Sequence, residues 1–377
     1  MKIECVKCYE VVVPAKSGMI ESSGFNKPLH KLPVGAVAAW SQQFDELPKL
    51  IIEMHLDNGV VGWGELYRDH NWNIVEAIIN QLLGKNLEDL TLQKLPITFC
   101  REYDGFECAI WDAYARSKEL RVVDLLGGPI KDKVKIGAWS SHRAADEIGD
   151  LTKMFSDLGY DCIKFKSDLS DDVKSWCQSI SDVDNKMKVI FDPNERWIYP
   201  HETKKRIDEL SEIGNVLCLE DPIPRWKLNE YASLRAYGSI PIVLHVSLPY
   251  ILHGQRIKDA IQAIQQSAVD GFNFNGGLAN FQRLDHIASA AGMPCWHGSE
   301  LDFGILEAMY VHSAAAAESC IWPSDIFGRL IREHDLLKTP LHIEPPFVHL
   351  PTGMGLGIDV DMDAVNNYLT DSKEYHL

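Results

Sequence analysis

The sequence predicts an α/β fold: a modified (β/α)8 TIM barrel preceded by an α+β N-terminal capping domain. Two observations carry this. From residue 131 onward, short apolar β-branched runs alternate with helix-like stretches in a regular rhythm. Reactive side chains recur at the ends of those runs: Lys164 and Asp192 stand 28 residues apart, Glu220 follows after 28 more, His245 after 25 and His297 after 52. A strand and a helix fill about that interval, and a barrel of such units gathers the carboxyl ends of its strands around one cavity.

The elements follow in chain order. "CVKCYEVVV" reads as a strand, and "LIIEMHLDNGVVGWGEL" as two strands joined at Asp57, Asn58 and Gly59, a strong hairpin signal. Between them "PAKSGMIESSGFNKPLHKLP" is too irregular for a core element. "GFECAIWDAYARSKELRVVDLLGG" has apolar residues at three- and four-residue spacing and predicts one amphipathic helix stopped near Gly127 and Gly128. Residues 1–130 are therefore assigned to the capping domain. Barrel strands are expected at 134–139, 161–166, 188–193, 216–220, 241–246, 271–275, 294–298 and 319–322, within a barrel domain of residues 131–340. Residues 341–377, with loop chemistry and a short strand, are expected to return to the capping domain.

Composition excludes some partners. A chain of 377 residues with 46% hydrophobic residues supports a barrel and a second module. A net charge of −17 and a pI near 5.2 argue against nucleic acid and against an anionic membrane. The nine cysteines show no paired zinc spacing and imply a reducing, cytoplasmic setting. "MKIECVKCYEVVVP" lacks a signal-peptide core, and no stretch reaches the length of a membrane span.

The order and spacing of "DNGVVGWGE", "AIWDAYARSKELRVVDLLGG", "KFK", "DPN", "EDP", the "GG" after strand six and "GMGLGIDVD" resemble the enolase superfamily, in its mandelate racemase and muconate-lactonizing branch. The resemblance spans nearly the whole chain. It implies a divalent metal, Mg2+ or Mn2+, and a strand-two base that removes the proton next to a substrate carboxylate; the enediolate then goes on to racemisation, elimination or ring chemistry. Such a proton is very weakly acidic, so the developing charge needs a metal and a cation already in place. Asp192 and Glu220 are then the hard oxygen ligands. Lys166 is the base and Lys164 its electrostatic partner, both facing the lumen because side chains on a strand repeat with period two.

The family's third ligand is acidic, but here "PIVLHVSLPY" places Val246 at the acid position and His245 one residue before it. Two readings of His245 stay open: a third metal ligand, as in a galactarate-dehydratase-like branch, or a hydrogen-bonded lumen histidine. His297 matches the strand-seven acid/base of the mandelate racemase branch, with Asp270 as its possible orienting acid, although Asp270 lies six residues before Gly276 where the pattern expects five. Asn275 stands near the strand-six lysine of cycloisomerases and argues against that branch. Trp322 and Pro323 stand where mandelate racemase has its strand-eight glutamate. Substrate-binding candidates are Asn194, Lys27, His30, Arg68, His70 and Trp139. Pairing Lys166 as base with His297 as acid suggests dehydration of an acid sugar to a 2-keto-3-deoxy acid. The alternatives are a racemase or epimerase of a hydroxy or amino acid, and a non-catalytic acid-sugar-binding paralogue. A small carboxylate substrate and a homo-oligomer are expected.

Overall fold

The computed structural model describes residues 1–19, 48–68, 70–246 and 256–377. An N-terminal sheet is built from β1 (Ile3–Val11), β2 (Lys49–Leu56) and β3 (Val61–Glu65), with the hairpin turn at the Asp57–Gly59 signal. The helix Tyr103–Ser117 lies on β3. Two glycines permit that approach: a Cβ on Gly62 would meet Ala109 O at 2.3 Å, and one on Gly64 would meet Gly105 O at 2.2 Å. The helix predicted to run on to Gly127 instead breaks after Ser117. Glu119 takes a left-handed φ of 55°, a short helix resumes at Val122–Leu125, and Val122 N bonds to Gly355 O at 2.8 Å.

Next come β4 (Lys133–Lys135), β5 (Ala138–Ser140), β6 (Cys162–Lys166), β7 (Lys188–Asp192), β8 (Val216–Glu220), β9 (Ile242–Val246), β10 (Gly271–Phe274) and β11 (Cys295–His297). Strands β5 to β11 form one seven-stranded sheet in sequential order, parallel wherever paired, with helices between successive strands. The single strand expected at 134–139 is thus two, and β4 belongs to another sheet. The eighth strand, expected at 319–322, is not a strand. Isolated parallel bridges Cys295 to Cys320 and Ile136 to Ser324 join this stretch to both edges of the sheet, with Pro323 between them unable to donate to a ladder. The architecture is a modified (β/α)8 barrel under a β-rich cap.

At the C-terminus β12 (Ile343–Glu344) and β13 (Phe347–His349) form a hairpin beside β4. After the helix Met362–Asn367, β14 (Leu369–His376) pairs antiparallel with β1. β14 is longer than the short strand expected in this tail, because "LTDSKEYH" is polar on both faces and carries no hydrophobic alternation to mark it.

The cap also grips a loop of the barrel. Buried Lys49 pairs with Glu65 at 2.8 Å and with Asp302, whose other oxygen accepts from Tyr310 Oη at 2.6 Å and from Glu300 N at 2.8 Å. Glu65 accepts from Phe303 N (2.8 Å) and Leu306 N (3.0 Å), capping the helix Gly304–Ala316 from the other domain. Breaking one member would strand buried charge, so the loop 299–301 is held by the cap.

Candidate active site

Inside the barrel, alternate residues of each strand face the lumen. The lower layer is apolar: Cys162, Ile190, Cys218, Val243 and Trp296. Two residues further along, four of those strands present Lys164, Asp192, Glu220 and His245, and β6 adds Lys166 one step higher. The period-two reading of these strands therefore brings five predicted residues into one buried cluster.

Lys164 Nζ lies 2.7 Å from Glu220, 2.8 Å from Asp325 and 3.7 Å from Asp192. Burial pulls its pKa down, but Asp325, Glu220 and Asp192 together outweigh that and hold the ammonium well above its ordinary range. Burial likewise favours neutral Glu220, yet Lys164 and His245 keep it well below the usual carboxylate range. Among the described residues, the carboxylate that Lys166 contacts is that of Asp192. His245 Nδ1 lies 3.0 Å from Glu220 Oε1, and its Nε2 lies 2.7 Å from Asn275 Oδ1. Asn273 Nδ2 donates to Glu220 Oε1 at 2.7 Å.

Arg68, Trp139, Asn194 and the loop 299–301 line the same cavity, and Arg68 Nη2 lies 3.2 Å from Glu300 Oε2. The space left between the charged side chains is only about 20 Å3, room for one water-sized sphere. A far wider groove, about 690 Å3, lies outside the barrel between residues 93–107 and the helices Arg256–Gln265 and Leu278–Ala290. It holds none of the lumen residues and is not the chemical centre.

Asp192, Glu220 and His245 place two carboxylates and one imidazole on three successive strands, a donor set that suits a divalent ion. The donor atoms that all lie within 4.8 Å of one another are those of Glu220, Asp221 and His245; Asp192 is outside that group and faces Lys166 and, at 3.7 Å, Lys164. Asp221 is engaged elsewhere: Oδ1 accepts from His245 N at 2.9 Å, and Oδ2 pairs with Arg225. Both of its oxygens thus already have partners in the wall.

Several expected site residues lie elsewhere. His297 does not face the lumen. On β11 the inward residue is Trp296, which pairs with inward Asn273, so His297 points outward. Its ring stacks between Phe281 (4.2 Å) and Tyr310 (4.1 Å), and Nδ1 donates to Gly298 O at 2.8 Å. Burial lowers its pKa to about 4. The lumen position is Gly298, where a Cβ would meet Asn273 Oδ1 and Asn275 Oδ1, each at 2.2 Å. Asp270 lies just before β10 at the opposite end of the strand, bound to Arg235 (2.7 Å) and Ile242 N (2.9 Å), so the Asp270–His297 dyad does not form. His70 pairs with Glu10 at 3.1 Å and packs on Trp72 within the cap, away from the lumen. Lys27 and His30 lie outside the described residues.

Two lumen residues escaped the sequence reading. Asn273 is visible in retrospect as the inward residue of β10. Asp325 supplies the carboxyl of the eighth stave that Trp322 and Pro323 had hidden; burial raises its pKa, against the pull of Lys164.

Residues 147–364 match the family described as enolase C-terminal domain-like. The chain is 25% identical over 346 residues to muconate cycloisomerase 1 of Rhodococcus opacus, covering 85% of this chain and 91% of that protein. It is 21% identical over 390 residues to the N-succinyl-L-Arg/Lys racemase of Bacillus cereus, covering 97% of each. The crystal structure of the N-succinyl Arg/Lys racemase from that species superposes with a TM-score of 0.82 at 19% identity over the whole of both chains, a likeness of fold. These relatives are isomerases, which corrects the expectation of a hydro-lyase acting on acid sugars. Among the described residues no helix is long and apolar enough to cross a membrane.

Proposed function

The chain belongs to the enolase C-terminal domain-like family, and from that premise we propose that it is an isomerase that moves a proton at the carbon next to a substrate carboxylate, using one lysine on one face. The observation that carries this reading is the asymmetry of the lumen. Lys164 and Lys166 both stand on β6. Across the barrel, β10 and the residues just beyond it and β11 offer Asn273, Asn275 and Gly298, which do not titrate. Among the described residues the far wall at these positions has no second base, and this favours proton transfer on one face over two-base racemisation; Asn275, standing near the strand-six lysine of cycloisomerases, sets the chain apart from those enzymes as well.

The two lysines divide the work by their contacts. Lys164 touches three carboxylates, stays charged and faces the enediolate's negative charge. Lys166 touches one carboxylate and is the proton carrier. Asp192, Glu220 and His245 would hold Mg2+ or Mn2+, and a bound ion would draw charge from the substrate carboxylate. Asp325 and Asn273 orient Lys164 and Glu220. Arg68, Asn194 and Trp139 are assigned to the substrate's remaining groups.

The test is incubation in D2O, with Mg2+ or Mn2+, of unsaturated diacids of the muconate type and of N-acyl amino acids. Deuterium entering one face of the carbon next to the carboxylate, without scrambled configuration, is the expected result. Deuterium in both enantiomers would replace this reading with the racemase. No exchange in either series would remove the isomerase assignment.

A further inference from the structure

A second group of metal-ligating side chains lies on the β12–β13 hairpin. His342, Glu344 and His349 present donor atoms that all lie within 4.8 Å of one another. The hairpin makes this arrangement. Ile343 faces Val348 in register, so His342 and His349 are the next cross-strand pair, joined by a bond from His349 N to His342 O at 2.9 Å. Glu344, two residues from His342, shares its face. The two imidazoles stack with centroids 4.3 Å apart at 17°, and both Nε2 atoms turn to the one carboxylate: His342 to Oε1 at 3.2 Å and His349 to Oε2 at 3.1 Å.

Those separations have a chemical meaning. In a tetrahedral zinc shell with bonds of roughly 2.0–2.1 Å, neighbouring donors stand roughly 3.3 Å apart. The two nitrogen–oxygen separations are already close to that, all three donors lie within 4.8 Å of one another, and the rear of the hairpin is anchored by Val348, which is fully buried. The front is open to ions, with His342 65% and Glu344 67% exposed. Two cations stand nearby on β4. Lys133, opposite His349 in register, lies over the Phe347 ring at 4.4 Å, and Lys135 pairs with Asp161 at 2.7 Å.

We propose that His342, Glu344 and His349 form a surface site for a borderline transition ion such as Zn2+, distinct from the lumen and tying β12 to β13. Two imidazoles and one carboxylate select Zn2+ over Mg2+, which requires an octahedral oxygen shell and holds its water tightly. A solvent molecule completes the fourth position. Because the donors come from both strands, the ion stabilises the hairpin by binding the folded form alone.

The experiment uses the full chain and Zn2+ itself. Zn2+ bound per chain is counted by equilibrium dialysis in excess Mg2+, for wild type and for the double variant His342→Asn/His349→Asn, with melting temperature measured alongside. The double variant should bind one Zn2+ fewer and lose part of the Zn2+-induced rise in melting temperature. Glu344→Gln, a nearly isosteric change at an exposed position, should weaken this same site by at least about tenfold and serves if the double variant does not fold. Equal Zn2+ counts in the wild type and a folded double variant, or a Glu344→Gln protein with unchanged affinity, would overturn the site.

Discussion

His245 and His297 both sit at the carboxyl ends of barrel strands, in "VLHVS" and "PCWHGS", yet they stand on opposite faces of the same wall. His245 faces the lumen, within reach of Glu220 and Asn275. His297 faces outward between two aromatic rings, with its Nε2 lacking a hydrogen-bond partner among the described residues. The same side chain is thus polar machinery in one place and packing in the other. A residue type at a strand end says nothing of its role until its face is known, because one step along a strand reverses the direction.

Three measurements would break or sharpen this contrast. The largest effect belongs to the lumen. Lys166→Ala should lose proton exchange next to the carboxylate by roughly 10² to 10⁴-fold, the scale of a positioned general base, while metal binding measured by dialysis persists. Exchange at the wild-type rate in that variant would move the base elsewhere.

The second measurement sets the histidines against each other. His245→Ala should weaken Mn2+ binding by about 10- to 100-fold or more, since it removes a donor from the lumen set. His297→Asn should leave Mn2+ affinity unchanged and keep proton exchange within a few fold. A folded His297→Asn protein without exchange would return His297 to the chemistry.

The smallest effect concerns pH. His297 and His312 are both buried with pKa values lowered to about 4 from 6.5. In the window from pH 6.5 down to about 4 the unfolded chain binds protons that the folded chain refuses. Stability is therefore complete above pH 6.5 and falls as pH drops towards 4, by about 3 kcal/mol for each histidine. His297→Phe should flatten the denaturation midpoint between pH 4 and 6.5 relative to wild type, whatever its effect at neutral pH. An unchanged slope would show that His297 does not carry this dependence.

Much of the site was legible because its signals are local. "KFK", "FDPN" and "CLEDP" each close a buried strand, and period two alone aims Lys164, Lys166, Asp192 and Glu220 at one lumen. The hairpin at Asp57–Gly59 was legible for a similar reason, since its turn chemistry is written in three adjacent residues. Asp325 was not legible: it sits beyond Pro323 on a stretch without strand pairing, and only bridges to both edges of the sheet bring it within 2.8 Å of Lys164.

The sequence by itself determined the strand-helix alternation, the barrel with its cap, and the chemical types gathered at the strand ends, because these follow from hydrophobic period and turn residues along the chain. The tertiary structure alone decided which of two adjacent residues on β11 faces inward, which acid completes the eighth stave, and how β14 returns to β1. Those outcomes depend on register between strands distant in sequence. In "CWHG" either parity satisfies the local pattern; the pairing of Asn273 with Trp296 selects one, seating the indole in the lumen and His297 between Phe281 and Tyr310.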